Sequence, residues 1–545
     1  MKRIHLFDTV KGLFVAIMAT LSLTTHSCSK HEGYEENIPV ASVSLIPLPQ
    51  SVSYGTSNVP LPDEITVSQD ITGISGELLK ETIGSIQGTD EVKKASNTEA
   101  FVRIFPNKTL AEEEYKITIT ADGANLEYAT SKGLLWGVQT LRQILLQHTT
   151  AGNSVPSIPA VTITDTPKNK WRGFHIDLAR HMFTMDYLKK ITDCLSFYKI
   201  NKLQLHLTDD QGWRIEIKKY PELTATGAWR TFDEYDKECI RLAQSDPDYT
   251  IDTRFIRNNN EYGGYYTQEA LKDFIEYATE RGIEIIPEID MPGHFSAAIK
   301  AFPELSCTEE SGWGEEFSYP VCAGKTENYP FFKDIIDEVT ALFPGEYMHI
   351  GADEVEKDNW KKCNRCQQLI KEQNLRNVDG LQNYFVKQMA GYVKSKGKKV
   401  MAWDDAFNEK DPQDLLYTYW RDWEAGQPGK ITQRGFPIVF MEWGRFYLSA
   451  TPSDELLKSL YEFTFEPQFE GIVKSNVIGF QACVWTEVIP NERKFGQHVF
   501  PSLQAFAELA WGSKREWSGF TNRLAWHLKW LTKNNIHSRT PGFIK

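Results

Sequence analysis

The sequence predicts an α/β protein, a (β/α)8 TIM barrel preceded by a small α+β domain. Three observations carry this reading. From about residue 170, eight short apolar runs alternate with helical patterns. Polar or aromatic residues follow most of those runs, where such a barrel gathers its function. Ahead of them, β-like runs and one amphipathic helix succeed each other in a different order, and Pro167 marks the boundary.

The first element is a targeting segment. Lys2 and Arg3 supply a positive start, and Gly12 to Leu23 form an apolar stretch of signal-peptide length, too short to span a bilayer. Thr24-Thr25-His26-Ser27-Cys28 resembles a relaxed bacterial lipobox, with His26 outside the stricter pattern. Cys28 is then the lipidated first residue of the mature chain, or an incidental cysteine after an ordinary secretory signal. Polar residues 29–43 read as a tether. The expected organisation is a signal peptide with candidate lipobox at 1–28, the tether, an α+β domain at 44–166, the barrel at 167–535 and a tail at 536–545.

In the first domain, Glu64 to Val67, Ala100 to Ile104 and Tyr115 to Ile119 read as strands. Ser131 to Leu146 reads as a helix, because Leu134, Leu135, Val138, Leu141, Ile144 and Leu145 recur at steps of three and four. The barrel strands are expected at Gly173–Leu178, Lys202–Leu207, Glu284–Ile289, Tyr347–Gly351, Lys399–Trp403, Leu416–Trp420, Ile438–Met441 and Ile478–Trp485. Helical patterns such as Met185–Tyr198 and Thr267–Arg281 lie between them.

Composition narrows the function classes. The chain has 545 residues, a formal net charge of −13 and a pI near 5.5. This argues against a nucleic-acid partner, which would need a basic face. The 15 Trp and 22 Tyr suit sugar stacking or core packing. Eight cysteines are too few for a disulfide scaffold at this length. Cys363-Asn364-Arg365-Cys366 lacks a second pair nearby in sequence and reads as structural, so no metal site and no cofactor are expected. Cys307 and Cys322 flank a Gly- and Glu-rich loop and could pair in an oxidising compartment.

The chemistry concentrates in His349-Ile350-Gly351-Ala352-Asp353-Glu354-Val355. Two adjacent carboxylates end an apolar run, with small residues just before them that let the backbone turn and a ligand approach. Paired carboxylates serve acid–base work on glycosidic bonds, yet sequence neighbours are poorly placed to attack a sugar from opposite faces. Capping of the next helix is the alternative use.

This stretch resembles the catalytic motif of glycoside hydrolase family 20, the β-N-acetylhexosaminidases. Three others resemble that family in order and spacing: Trp171-Arg172-Gly173 with Asp177 and Arg180-His181, His206 to Arg214, and Pro287 to His294. The likeness covers nearly all of residues 45–535. It implies an exo-acting, retaining enzyme that removes terminal GlcNAc or GalNAc, with the substrate's own acetamide as nucleophile and an oxazolinium intermediate. Glu354 is then the acid and base, and Asp353 holds the acetamide N–H. An anionic Asp353 is expected to raise the pKa of Glu354. Asp209 and His294 match a supporting dyad; the alternative is a helix cap and a loop histidine, or a metal cluster with Asp210, Glu288 and Asp290, whose spacing is not that of a calcium loop. The likeness implies Arg172 on the 3- and 4-hydroxyls (or in a barrel-floor salt bridge), Trp403, Trp420 and Trp485 boxing the acetamide and ring (or packing the core), Tyr447 on the acetamide oxygen, and Glu487 on outer hydroxyls.

One position departs from the family. Ser449 stands where an acid commonly follows the Tyr447 position. Either recognition of the 4- and 6-hydroxyls is altered or Glu442 compensates. The segment from Trp229 to Gly264 has no counterpart and forms either a pocket wall on the leaving-group side or a surface insertion. The alternatives in function are release of lacto-N-biose, action on sulfated GlcNAc, or a non-catalytic glycan-binding surface lipoprotein. The expected location is the periplasm or the outer cell surface of a Gram-negative bacterium, with a lipid anchor.

Overall fold

The computed structural model describes residues 42–148, 155–310, 317–410 and 412–544. The leader, Cys28 and the tether up to Ala41 lie outside the described residues. No described helix is long and apolar enough to cross a membrane.

The small domain is one seven-stranded sheet under two helices. Across the sheet run Ser51–Pro60, Ser157–Asp165, Tyr115–Thr120, Gly123–Tyr128, Val102–Pro106, Val67–Ser68 and Lys94–Ala95. Helices Gly73–Gln87 and Ser131–Leu145 pack together. The second is buried on nearly all sides because it lies between its own sheet and the barrel. Gly137 lets it close on Leu126, and Gln139 and Gln143 bond barrel-side groups at Ser196 and Phe197. Trp511, from the barrel's penultimate helix, completes the small domain's core. The edge strand Ser51–Pro60 escapes sequence reading because it is mostly exposed and polar, with no apolar alternation.

The barrel closes from eight parallel strands: β1 (Trp171–Asp177), β2 (Lys202–His206), β3 (Glu284–Glu288), β4 (Tyr347–His349), β5 (Lys399–Trp403), β6 (Leu416–Tyr419), β7 (Ile438–Phe440) and β8 (Val477–Val484). All eight fall on the expected runs. They are read easily because strands covered on both faces are largely apolar runs. The floor is apolar: Trp171, Ile286, Met401 and Val439 come from alternate strands, with Leu416 beside them. Above it the interior turns polar. Gln481 donates to Gln204 at 2.8 Å, and Thr418 lies 3.5 Å from His349. His175, Glu288 and Trp403, from odd strands again, lie nearest the open end.

Two further elements pack around the barrel. Residues 229–263 form a three-stranded antiparallel sheet with the helix Glu234–Ala243. It braces the loop after β1 from behind: Asp236 lies 3.3 Å from His181 and clasps Arg230 through two bonds of 2.9 Å. At the C-terminus, Arg539 pairs with Asp454 and donates its backbone N–H to Phe500.

Candidate active site

The C-terminal ends of the barrel strands enclose a cavity of about 410 Å3, within the range of small-ligand sites. Of the sequence-predicted residues, Asp209, His294, Asp353, Glu354, Trp403, Trp420, Tyr447, Trp485 and Glu487 line it. Ser449 lines it too.

Arg172 does not. It stands second in β1, at the barrel's floor, fully buried. Its guanidinium meets Glu113 of the small domain at 2.6 Å and donates to the Lys199 and Asn169 carbonyls. The salt-bridge alternative is therefore the correct one. The cavity's arginine is Arg180, three residues past the end of β1. Its fork holds Asp209 at 2.9 Å and Asp177 at 3.3 Å, lies 3.9 Å from Glu487, and sits over the Trp485 ring. Burial alone would lower its pKa, but these carboxylates hold it well above the usual value.

The acidic pair sits on a strained elbow after β4. Gly351, Ala352 and Glu354 all have positive φ, at 64°, 77° and 46°. Only glycine fits at 351, where a Cβ would stand 1.7 Å from Asp290 Oδ1. Left-handed alanine and glutamate are costly and persist only where the surroundings hold them. Here the Ala352 N–H donates to Asp290, the Ala352 carbonyl accepts from Gln382, and the Gly351 carbonyl accepts from Trp403. Asp405 takes the Glu354 N–H and the Trp420 indole N–H, the latter at 2.7 Å. The result separates two neighbours by environment. Glu354 is 36% exposed in the cavity, while Asp353 is buried, with Oδ1 unpaired among the described residues. Helix capping is excluded as their use, since the following helix starts at Asp358.

Electrostatics reinforce that division. Burial, then the nearby Asp290 charge, push the Asp353 carboxyl well above the usual range. Asp290 is itself pushed up to about 7 by burial.

A buried relay runs behind the acid. Glu288 at the end of β3 lies 3.0 Å from His206 Nδ1, and His206 Nε2 lies 2.7 Å from Asp209. The other oxygen of Asp209 lies 3.1 Å from His294 Nδ1, and His294 Nε2 lies 3.4 Å from Glu354. Burial disfavours charge on Glu288, His206, Asp209 and His294, but the alternation of sign wins. Arg180 and His294 hold Asp209 well below the usual range, and Asp209 holds His294 well above its own. His206 is pushed up to about 10 by Glu288 and Asp209. Asp209 thus spends its oxygens on Arg180, His206 and His294, and Glu288 on Gln204, Trp403 and histidines. Among the described residues, Asp209 with Asp210, Glu288, and Asp290 fall into three separate groups and do not converge as one cluster.

The tryptophans both pack and line. Trp403 donates to Glu288 at 2.8 Å, and Trp485 lies against His175 and His206. Trp420 stacks along Tyr447. Trp443 and Phe317, about half exposed, form the rim, and Phe317 sets its edge against His294. Arg180 was visible in the sequence as part of a motif and as a polar residue just past the first strand; Trp443 and Phe317 carried no periodic signal. Glu442 is fully buried and caps the turn at Gly444 while pairing with Arg445, so it does not stand in for the acid missing at Ser449. The 229–263 insertion contributes no lining residue.

Comparison with known proteins gives one family. Residues 169–514 match Glycosyl hydrolase family 20, catalytic domain, and residues 42–166 match Glycosyl hydrolase family 20, domain 2. The chain is 31% identical over 510 residues to the beta-hexosaminidase of Porphyromonas gingivalis, covering 88% of this chain and 62% of that one. It is 32% identical over 424 residues to the beta-hexosaminidase of Vibrio furnissii, covering 74% and 66%. The chain thus spans just under two thirds of these curated relatives. Among solved structures it resembles a GH20 exo beta-N-acetylglucosaminidase from Vibrio harveyi in complex with N-acetylglucosamine, at TM-score 0.78 and 27% identity over 94% of this chain and 81% of that one. It also resembles the beta-N-acetylhexosaminidase of Bacteroides fragilis, at TM-score 0.73 and 27% identity over 91% and 97%.

Proposed function

The chain belongs to glycosyl hydrolase family 20, and from that premise we propose that it is an exo-acting, retaining β-N-acetylhexosaminidase that removes terminal GlcNAc or GalNAc from glycans. The observation that carries the reading is the elbow itself. It presents an open Glu354 beside a buried Asp353 whose Oδ1 waits for a donor.

Such a pair suits substrate-assisted catalysis. Glu354 gives its proton to the glycosidic oxygen as the acetamide carbonyl oxygen of the sugar attacks C1. The leaving alcohol departs and an oxazolinium forms. Asp353 accepts the acetamide N–H and offsets the charge growing on it. Glu354, now anionic, takes a proton from water, and the hydroxide attacks C1 and reopens the ring to acetamide and retained product. His294 and Asp209 hold Glu354 in place throughout.

Glu354→Gln and Asp353→Asn are each expected to lose most activity on an aryl β-N-acetylglucosaminide, and a thiazoline mimic of the intermediate should inhibit. Full activity of Asp353→Asn would refute the assisted mechanism. Tight glycan binding without turnover would favour a binding lipoprotein instead.

A second reading concerns the sugar. Ser449 lines the cavity where an acid would repel an anionic substituent, which favours a sulfated or extended GlcNAc. Product mass from a panel of GlcNAc, sulfated GlcNAc and lacto-N-biose substrates distinguishes these choices. We also propose export with a lipid anchor at Cys28, supported by the leader and the lipobox-like stretch. Cys28→Ser should release the protein from membranes; continued membrane association would exclude the anchor.

A further inference from the structure

Cys307, Cys322, Cys363 and Cys366 converge from two barrel loops, and their sulfurs all lie within 4.8 Å of one another. Cys307 and Cys322 belong to the long loop after β3, and Cys363 and Cys366 to the loop after β4. The second pair that the C-x-x-C lacked is thus supplied from some forty residues upstream. We propose that these four cysteines bind one zinc ion as a structural tetrathiolate, which clamps together the two loops that carry His294 and Glu354.

The sulfur geometry is the first argument. Cys322 lies 3.7 Å from Cys363 and 3.6 Å from Cys366, and Cys366 lies 3.8 Å from Cys307. Zinc bound by four thiolates at about 2.3 Å has sulfur–sulfur edges of about 3.8 Å. The contacts share members, so the thiols surround a point and do not sort into two separate pairs. None of these cysteines is disulfide-bonded.

The backbone is built for the same purpose. Cys363 caps the helix Asn364–Glu372 and Cys366 lies in its first turn, where the helix N-terminus favours thiolate. Gly324 lets the other loop press against that turn, since a Cβ there would stand 2.3 Å from the Cys366 nitrogen. Cys322 and Cys366 are fully buried.

Four Zn–S bonds form as four protons leave to solvent, giving a centre of charge −2. Its effect would reach the cavity. The segment between Cys307 and Cys322 carries Phe317 at the rim and Ser318, whose N–H binds Asp210 and whose hydroxyl accepts the His294 N–H. The Trp360 indole ties the second loop to Val321, next to Cys322. The competing chemistry is two disulfides, which would pass four electrons and four protons to an external oxidant and is favoured by an oxidising compartment.

The test is metal and thiol content of the full chain, purified without chelator and passed over a chelating resin. Elemental analysis should find about one zinc per chain, and the seven cysteines from Cys194 to Cys483 should all titrate after denaturation with EDTA. Absence of zinc overturns the proposal, whether four thiols are missing as two disulfides or all are present. Cys363→Ser with Cys366→Ser should abolish zinc retention, whereas Cys194→Ser, remote from the cluster, should keep it. Equal zinc in all three proteins would show a site elsewhere and also overturn the proposal. The wild-type zinc content decides even if the double variant fails to fold.

Discussion

His294 Nε2 stands 3.4 Å from the Glu354 carboxylate, and its other nitrogen is held at 3.1 Å by Asp209. The imidazole is therefore oriented by one carboxylate and delivered to another. Because Asp209 raises the pKa of His294, Asp209→Asn should let His294 lose its proton at lower pH. We expect kcat to fall roughly a hundredfold and the alkaline limb of the pH–activity profile to move to lower pH. A pH–rate profile checks this; an unmoved limb would assign Asp209 a purely structural role.

The two arginines of the first barrel motif should separate cleanly. Arg180→Lys keeps the charge but loses the planar fork, so KM should rise about tenfold. Arg172→Lys should leave KM unchanged and lower stability by about 1–3 kcal/mol, through imperfect replacement of a buried ion pair. Steady-state kinetics paired with denaturant unfolding reads both; a raised KM for Arg172→Lys would contradict the floor assignment.

Gly351→Ala should be among the most damaging small substitutions. The residue has φ 64°, and its Cβ would collide with Asp290. A loss of about 2 kcal/mol or more is expected, together with loss of turnover as the elbow shifts Glu354. Thermal denaturation and residual activity measure the two effects, and near-normal values for both would show that the elbow relaxes freely.

Stability should fall on the alkaline side of neutrality. His206 titrates near 10 in the folded protein against about 6.5 unfolded, and Asp290 near 7 against about 3.9. Both folded values are raised, so the associated stabilisation is full below the unfolded values. It is lost as pH rises, across roughly 4 to 7 for Asp290 and 6.5 to 10 for His206. Asp209 and Glu288 are lowered and act oppositely, losing their contribution only in acid. Calorimetry should give a lower melting midpoint at pH 9 than at pH 6; a higher one would mean these groups do not govern the pH dependence.

Much of the barrel was legible because doubly covered strands are mostly apolar, and the site because its residues follow those strands. Arg172 shows where motif reading fails. It lies in the same short motif as Arg180, but at the opposite end of the strand, and the rule that function gathers at strand ends already favoured Arg180. The cysteine cluster was hidden for a different reason, since its two pairs meet only through the packing of neighbouring loops. Glu288 and His206 were harder to assign because each is the polar last residue of a barrel strand, and only the closed barrel shows that they face each other.

The Glu113–Arg172 bond has a consequence for how the protein can be divided. Arg172 is sealed under Trp136 and Trp511, with its charge answered from across the domain boundary. A barrel cut free of residues 42–166 would carry an unanswered cation and leave Trp511 without the core it completes. The two domains are therefore joined through a buried ion pair, and any transplant, truncation or shuffling of this scaffold has to carry both halves of that joint together.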